Sequence, residues 1–334
     1  MKVSVVVPVF NGQETIAACL DSLLAQKPHG NELDIVVVDD ASRDRTVQIV
    51  SGYSGVRILS QPRNAGPAAA RNRGAREAAG DVVLFTDADC VPGEAWVSEM
   101  VGSFIRDSSV TGVKGIYRTK QHEVTARFVQ LEFDFKYERM KRRDTIAFID
   151  TYSAGYRRDV FLEAGGFDTG FPVASTEDID LSFRLAAKGH RLVFNPNAYV
   201  YHKHPTSWVE FLRRKFKYAY WGAVVMRRYP DKVLNDSYTP LTQKLQMVFA
   251  PAGLASLGLI WLPSAIWGWV AAVAWIGVVF CMLPFWVRSF PKDREVTLLS
   301  PAFLIPRALV QMVAVVAGSL RPLDDSIRAA AVKE

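Results

Sequence analysis

Apolar residues in the first part of the chain come in short unbroken runs separated by helix-like segments. Val3–Val9 is an apolar run of the kind expected for a parallel strand covered on both faces. Asn11–Glu14 then opens a helix with one apolar stripe: Ile16, Leu20, Leu23 and Leu24. The same pattern predicts three more strands, Asp34–Val38, Val56–Leu59 and Asp81–Thr86, and two more helices, Asp44–Ser51 and Ala68–Ala79.

This β-α-β-α-β-α-β order predicts a parallel sheet with helices on both faces. Ligands of such sheets bind beyond the carboxyl ends of the strands. The polar residues at those ends are Asn11, the pair Asp39-Asp40, and Asp87 with Asp89. They are the first candidates for a site. Farther along, the pattern predicts a helix over Ile179–Lys188 capped by Gly189, then two short strands, Arg191–Phe194 and Ala198–Tyr201.

The pattern changes after about residue 206. Trp208–Arg228 has helical spacing, with aromatic and apolar residues on one stripe and basic residues outside it. Such a helix fits a membrane interface, and a surface helix packed on its own domain is the alternative. Leu245–Val287 is apolar and too long for one membrane span of about 20 residues. We expect a hairpin of two spans, Leu245–Leu262 and Ala265–Val287.

Basic residues lie at both ends of this expected hairpin. Because positive charge favours the cytoplasmic side, the ends and the soluble part are expected there. A third apolar stretch, Leu298–Leu320, contains Arg307, Gln311 and two prolines. Its sequence is compatible with spanning, re-entering or lying on the membrane.

Composition agrees with a folded protein and narrows the compartment. The 334 residues are 49% hydrophobic and 22% charged, with a net charge of +6. Basic clusters fit either nucleic acid or an anionic membrane; no nucleic-acid module accompanies them, and the apolar hairpin favours lipid. The three cysteines lie far apart, which predicts no disulfide framework and a reducing compartment.

The candidate chemistry is carried by carboxylates. Asp87 and Asp89 follow a buried strand and can both turn toward a hard cation such as Mg²⁺ or Mn²⁺, although Asp-x-Asp is common in loops. Glu177 and Asp178 open a helix, where acidic residues either favour the helix dipole or supply a general base. His202 is as much a structural residue as a metal ligand by this reasoning.

Two further sets of residues, the Asp39-Asp40 pair and Arg71, each have two interpretations. Asp39-Asp40 either hydrogen-bonds a nucleotide or caps the next helix, a task for which Ser42 and Asp44 are also available. Arg71 lies near the start of a helix, where it either faces a diphosphate or lies on a solvated face.

The ordered succession of motifs resembles the family-2 glycosyltransferases, the inverting group with a GT-A fold. The matching stretches are residues 3–11 (VSVVVPVFN), 36–44 (VVVDDASRD), 64–72 (NAGPAAARN), 85–89 (FTDAD), 165–168 (GGFD) and 176–185 (TEDIDLSFRL). The likeness covers about residues 1–220.

The resemblance implies an α/β GT-A fold with a mostly parallel central sheet, followed by a C-terminal helical membrane region. It also implies roles for single residues. Asp178, with Glu177, would act as the catalytic base, and Mg²⁺ or Mn²⁺ would bind Asp87, Asp89 and His202. The donor would contact Pro8, Phe10, Glu14, Asp39, Asp40, Gly66, Arg71 and Asp87.

The implied activity is transfer of a sugar from a UDP- or GDP-type nucleotide-diphospho-sugar to a hydroxyl of a lipid-linked or membrane-proximal glycan acceptor. Processive members carry Gln-x-x-Arg-Trp after the base, and Phe211–Phe216 lacks it. We therefore expect single additions in cell-envelope glycan or glycolipid synthesis, at the cytoplasmic membrane.

Two alternatives belong to other classes. A nucleotidyltransferase would need a basic, glycine-rich loop after the first strand. This class is disfavoured because Phe10–Gln13 has no basic residue. A membrane scaffold or carrier with a decayed catalytic domain is disfavoured by the intact carboxylates. A nicotinamide enzyme is set aside because no Gly-x-Gly-x-x-Gly follows the first strand.

The expected domains are a catalytic domain over 1–206, a linker with an amphipathic helix over 207–240, a transmembrane hairpin over 241–288, and a third apolar segment with a tail over 289–334. Within the first domain, residues 1–112 form the donor half and 113–206 the acceptor half.

Overall fold

The computed structural model describes residues 1–27, 30, 32–171, 176–230, 239–259 and 265–322. Within these ranges the chain divides into two units. The first comprises residues 1–120 and 136–203, and the second comprises residues 121–135 and 204–334. The predicted catalytic domain included residues 121–135. In the structure Phe128, Val129, Leu131 and Phe135 join an apolar cluster of the second unit instead.

The first unit is built on one eight-stranded sheet. Its strands are β1 Val3–Val9, β2 Leu33–Asp39, β3 Val56–Ser60, β4 Val82–Phe85, β5 Val91–Pro92, β6 Val110–Arg118, β7 Ala154–Arg157 and β8 Arg191–Tyr201. They lie in the order β3-β2-β1-β4-β7-β6-β8-β5. The first four are mutually parallel, β7 is antiparallel to both of its neighbours, and β6 pairs with β8 in parallel. The predicted α/β fold is confirmed, with a mixed sheet.

The helices of this unit follow the strands. They are α1 Ile16–Leu24, α2 Thr46–Ser51, α3 Pro67–Glu77, α4 Trp96–Arg106, the end of α5 Val124–Met140, α6 Arg158–Glu163 and α7 Glu177–Ala187. The four helices predicted for this part, α1, α2, α3 and α7, all form; the ends of α2, α3 and α7 lie within two residues of the predicted ones, and α1 begins two residues after Glu14. The pattern did not indicate α4, α5 or β6.

Glycine allows α3 to pack closely on the sheet. A Cβ added to Gly74 would lie 2.3 Å from Val6 Cγ1 and 3.0 Å from Val38 Cγ2. The helix therefore rests directly on β1 and β2, and its N-terminus reaches the edge where these strands end. Gly66, before the helix, has a φ of +88°, a conformation that L side chains rarely adopt.

The second unit is helical. Besides the start of α5, it contains α8 Trp208–Met226, α9 Leu241–Leu259, α10 Ala265–Ser289, α11 Arg294–Leu299 and α12 Pro301–Leu320. An apolar cluster that includes Phe128, Phe211, Val278 and Phe303 forms its core. A buried polar group joins four of the helices: Arg307 contacts Glu132 and Gln246, and Lys215 contacts Glu132 at 2.9 Å.

Two of these helices are long and apolar enough to cross a membrane, over Ile266–Ser289 and Pro301–Leu320. They fall in the second predicted span and in the third apolar stretch. The described part of the first predicted span lies in α9, and the turn expected at Pro263-Ser264 lies outside the described residues. Arg307, inside the third stretch, is almost fully buried against its carboxylate partner.

Candidate active site

The loops after β1 and β2 are tied together by hydrogen bonds at the sheet edge. The Asn11 N–H donates to Ser42 Oγ at 2.9 Å, and Asn11 Oδ1 accepts the Arg43 N–H at 2.8 Å. The Gly12 N–H donates to Thr46 Oγ1 at 2.9 Å. Asn11 thus links the loops after β1 and β2 by hydrogen bonds. Sequence reasoning placed it at a strand end but did not identify this contact.

Asp39 and Asp40 are both buried, and each accepts hydrogen bonds from backbone N–H groups. Asp39 accepts the Ser42 N–H with both carboxylate oxygens, at 3.2 and 3.3 Å. Asp40 accepts the N–H groups of Ala65 and Gly66, both at 2.8 Å. Ala41, the residue after Asp40, has a φ of +63°, an uncommon conformation for a residue with a Cβ. The pair therefore fixes the turn after β2 and the chain that enters α3.

The other residues assigned to the donor lie on or beside β1. Pro8 is buried in the strand and lies opposite Val38 of β2. Phe10 follows the strand and is 47% exposed, which leaves an aromatic ring at the edge. Glu14 is exposed in the turn before α1.

Asp87 and Asp89 follow β4. Their carboxylate oxygens and the Cys90 thiol lie within 4.8 Å of one another. Carboxylate oxygens suit Mg²⁺ or Mn²⁺, whereas burial, with added repulsion from Asp87 and Asp89, raises the pKa of the Cys90 thiol well above its usual value. A protonated thiol is a poor ligand for a hard cation, so the donor set fits a cation held by the two carboxylates.

His202 lies beside this group at the end of β8. Its Nε2 is 3.4 Å from Asp89 Oδ2, and its ring stacks on Tyr117 with centroids 4.5 Å apart. Burial opposes ionisation of Asp89, but the contacts with His202 outweigh it and lower the pKa of that carboxyl group. His204 instead contacts Gln130 with its Nε2 at 3.0 Å. Of the two histidines, His202 is therefore the one beside the metal candidate.

Arg71 joins the Asp87 carboxylate to the helix that carries Glu177. Its two terminal nitrogens donate to Asp87 Oδ1 at 2.7 Å and to Glu177 Oε1 at 3.0 Å. Arg71 is 3% exposed, and both hydrogen bonds join ionised groups, which form the stronger class of hydrogen bond. Arg71 was expected near this site, but the sequence did not show that it bridges two carboxylates.

Asp178 lies next to Glu177 in the first turn of α7. Its carboxylate accepts the Ile179 N–H at 2.8 Å. Burial, reinforced by repulsion from Glu177, raises the pKa of Asp178 to about 7, against the opposing effects of Arg71 and Lys114. An acid with a pKa near neutrality is suited to take a proton at neutral pH.

Asn72 of α3 holds the Gly-Gly-Phe-Asp stretch at residues 165–168 and was not singled out from the sequence. Its side-chain amide donates to the Phe167 carbonyl and accepts the Phe167 N–H, at 2.7 and 2.8 Å. Gly166, with a φ of +68°, passes so close that an added Cβ would lie 2.4 Å from Asn72 Oδ1. The juxtaposition of Asn72 with the Gly-Gly-Phe-Asp stretch becomes visible only when the chain is folded.

One family model matches the first part of the chain. A model described as "Glycosyl transferase family 2" matches residues 4–165, which includes β1, β4, Arg71, Asp87 and Asp89. Residues 4–165 are a glycosyl transferase family 2 domain. The resemblance inferred from the motifs is confirmed.

Two curated relatives of this chain are glycosyltransferases by name. The pre-mycofactocin glycosyltransferase of Mycobacterium tuberculosis is 29% identical over 239 residues, which are 69% of this chain and 48% of that protein. The probable glycosyltransferase YdaM of Bacillus subtilis is 29% identical over 231 residues, 65% of this chain and 54% of that protein. The chain spans about half the length of these two relatives.

A solved structure has the same fold. The mannosyltransferase PcManGT from Pyrobaculum calidifontis, in complex with GDP-Man and Mn²⁺, superposes with a TM-score of 0.57 at 20% identity. The match covers 97% of this chain and 87% of that one. It confirms the expected GT-A fold.

Proposed function

We propose that the chain is a metal-dependent, inverting glycosyltransferase that uses a nucleotide-diphospho-sugar donor. The observation that carries the proposal is the Arg71 bridge. It joins a carboxylate of the Asp-Ala-Asp motif to the first turn of α7 through contacts of 2.7 and 3.0 Å. This bridge supports a site in which the proposed metal ligands lie close to the turn that carries the proposed base, Asp178.

Asp87, Asp89 and His202 would hold Mg²⁺ or Mn²⁺, which when bound supplies charge stabilisation for the departing diphosphate. The donor set is compatible with either ion, and the solved neighbour with this fold holds Mn²⁺ and GDP-Man. Phe10 offers an exposed ring for the base of the nucleotide. Pro8, Glu14, Asp39, Asp40 and Gly66 form or line the same edge.

Asp178 would take the proton of the acceptor hydroxyl as its oxygen attacks the anomeric carbon. The new C–O bond forms as the bond to the diphosphate oxygen breaks on the opposite face, so the anomeric configuration inverts. Arg71 and Glu177 orient the turn that carries Asp178. The raised pKa of Asp178 matches this task, since the group accepts a proton readily near neutral pH.

The acceptor is proposed to be lipid-linked or membrane-proximal, in the synthesis of a cell-envelope glycan or glycolipid. The two long apolar helices support attachment of the chain to a membrane. Basic residues at their ends, among them Arg288, Lys292 and Arg294, support a cytoplasmic orientation at the cytoplasmic membrane. The absence of Gln-x-x-Arg-Trp over Phe211–Phe216 supports single additions.

The test is binding and slow hydrolysis of a panel of UDP- and GDP-sugars by the purified chain, with Mn²⁺, with Mg²⁺ and with neither. One donor should be turned over only with a metal, and Asp89→Ala should abolish that turnover. Asp107→Ala, an exposed carboxylate outside the site, is the matched control. Absence of binding to every donor with both metals would contradict the proposal and favour a non-catalytic scaffold.

A further inference from the structure

One aromatic side chain lies against His202 and was not singled out from the sequence. Tyr117 of β6 stacks its ring on the His202 imidazole, with centroids 4.5 Å apart and an interplanar angle of 27°. This centroid distance is within the usual range for aromatic pairs. Tyr117 is 9% exposed, so the stack lies largely away from solvent. The contact therefore restrains the imidazole on one face of its ring.

The backbone of His202 is held by the same strand. Its N–H donates to the carbonyl of Arg118 at 3.0 Å, and Arg118 lies opposite Tyr201 in the parallel pairing of β6 with β8. Adjacent residues of β6 thus hold the histidine at two points. Arg118 holds its backbone, and Tyr117 holds its ring.

Tyr117 is itself held in place by two other buried tyrosines. Its N–H donates to the Tyr137 hydroxyl at 2.8 Å, and its ring also stacks on the ring of Tyr152. The hydroxyl oxygens of Tyr137 and Tyr152 are 2.8 Å apart, so a hydrogen bond joins the two supports. Because both its backbone and its ring are restrained, Tyr117 offers the imidazole a rigid surface.

This surface matters because a histidine side chain does not fix the direction of its own ring. Rotation about the Cβ–Cγ bond is broad, so a neighbour must hold the ring nitrogens in one direction. The Nε2 of His202 lies 3.4 Å from Asp89 Oδ2, but the Asp89 side chain is 54% exposed. An exposed carboxylate is a mobile restraint. The stack on Tyr117 adds a buried one.

We propose that Tyr117 is a positioning residue of the metal site, which it serves by holding the His202 imidazole with Nε2 toward Asp89. The inference rests on the proposed function, in which Asp87, Asp89 and His202 hold Mg²⁺ or Mn²⁺. Ligands that are oriented before the ion arrives bind it more tightly, since less conformational freedom is lost on binding. Neighbours that orient a metal-binding histidine typically contribute about 10- to 100-fold in metal affinity.

The test is the affinity of the purified chain for Mn²⁺, measured from the EPR signal of the free ion, alone and with UDP or GDP. Tyr117→Leu removes the planar ring and should weaken Mn²⁺ binding about tenfold. Tyr117→Phe keeps the ring and should bind Mn²⁺ as tightly as the wild-type chain. Tyr201→Leu is the matched control, because this tyrosine precedes His202 but its ring contacts Tyr199, so its loss should leave the affinity unchanged. Tyr117→Met carries the test if Tyr117→Leu does not fold.

A double-mutant cycle shows whether Tyr117 acts through His202. His202→Ala should weaken Mn²⁺ binding, and Tyr117→Leu added to it should cause no further loss, because the ring that Tyr117 positions is gone. Additive losses, an unchanged affinity in Tyr117→Leu, or equal losses in Tyr117→Leu and Tyr117→Phe would each overturn the inference. Failure of the proposed function is distinguishable, because the wild-type chain would then not bind Mn²⁺, or Asp89→Ala would bind it equally well.

Discussion

At the scale of single residues, the site is a set of carboxylates with unequal surroundings. Asp87 and Glu177 share the buried guanidinium of Arg71, and Asp89 lies 3.4 Å from His202. Among the described residues no side chain donates a hydrogen bond to Asp178, and burial raises its pKa to about 7. When neighbouring carboxyl groups have different surroundings, their pKa values differ. One group can then stay ionised and bind, while another takes up and releases a proton. Asp178 is therefore the carboxylate suited to proton transfer.

The first prediction concerns pH. Because Asp178 must be ionised to accept a proton, kcat should fall about tenfold per pH unit below a pKa of about 7. The measurement is kcat at saturating donor, acceptor and Mn²⁺ between mildly acidic and mildly basic pH. Donor and metal affinities measured at each pH serve as the control. A kcat that is constant across this range would contradict the role of Asp178.

The second prediction concerns the stability of the fold. A carboxyl whose pKa is raised above 3.8 on folding binds more protons in the native state, so stability falls as pH rises from that value through about 7. Asp178→Asn should therefore abolish transfer while raising Tm above pH 7 by a few degrees, on the order expected for 1–2 kcal/mol.

Asp180→Asn on the same helix is the matched comparison. The Asp180 carboxylate is buried and accepts the Arg184 Nε–H at 2.9 Å, so loss of its charge should lower Tm. Thermal unfolding of the two variants at one pH above 7 checks the signs. A lower Tm in Asp178→Asn would show that its charge stabilises the fold.

At the scale of elements, the hydrophobic pattern predicted the parallel half of the sheet well. Val3–Val9 and Leu33–Asp39 are apolar runs with turn residues after them, and such runs carry their own signal. The strands β6 and β7 were harder to predict from the sequence. Lys114 and the glycines of β6 interrupt its apolar pattern: Lys114 is fully buried and paired with Asp150, and Gly115 passes close to the Ala198 carbonyl. Tertiary contacts determine the residues at both positions, and the local hydrophobic pattern carries no information about those contacts.

The candidate site divides in the same way. Residues at strand ends, such as Asp40, Asp87 and Asp89, could be found from the sequence because parallel strands deliver them to one edge. Arg71 was found, but its two partners lie 16 and 106 residues away along the chain. Asn72 gave no signal at all, since its partner Phe167 lies 95 residues away. Long-range pairing of polar groups has no local signature.

The third prediction tests the packing of α3 on the sheet. Gly74→Ala places a Cβ 2.3 Å from Val6 Cγ1, so it should destabilise the first unit by about 1–3 kcal/mol. Gly102→Ala in α4 is the control, because its Cβ would meet only the end of the flexible Arg106 side chain. That change should be neutral or stabilise by up to about 1 kcal/mol. Equal losses of stability in both variants, measured by denaturant unfolding, would argue against close packing at Gly74.

At the scale of the whole molecule, the net charge of +6 gains meaning from where its basic residues lie. The segment at residues 287–299, called the basic turn below, comprises the end of α10, a short connection and the helix α11, and it exposes three of them: Arg288, Lys292 and Arg294. Its two acidic residues, Asp293 and Glu295, are both paired with Arg127. Exposed Phe290 and Leu298 lie among the cations, so this basic turn combines positive charge with apolar surface.

The last prediction follows from this combination. Each Lys or Arg near an anionic bilayer surface contributes about 1 kcal/mol to binding, and salt weakens the attraction. Phosphatidylglycerol added to neutral detergent micelles should therefore raise the Tm of the chain, less so at high salt, whereas phosphatidylcholine should not. Arg288→Gln, Lys292→Gln and Arg294→Gln combined should remove the effect. A triple variant with the same charge loss at exposed Lys27, Arg63 and Lys188 should keep it, because those residues lie in the sheet-containing unit. Equal responses of the two triple variants would mean that net charge alone, rather than the basic turn, determines the interaction with anionic lipid.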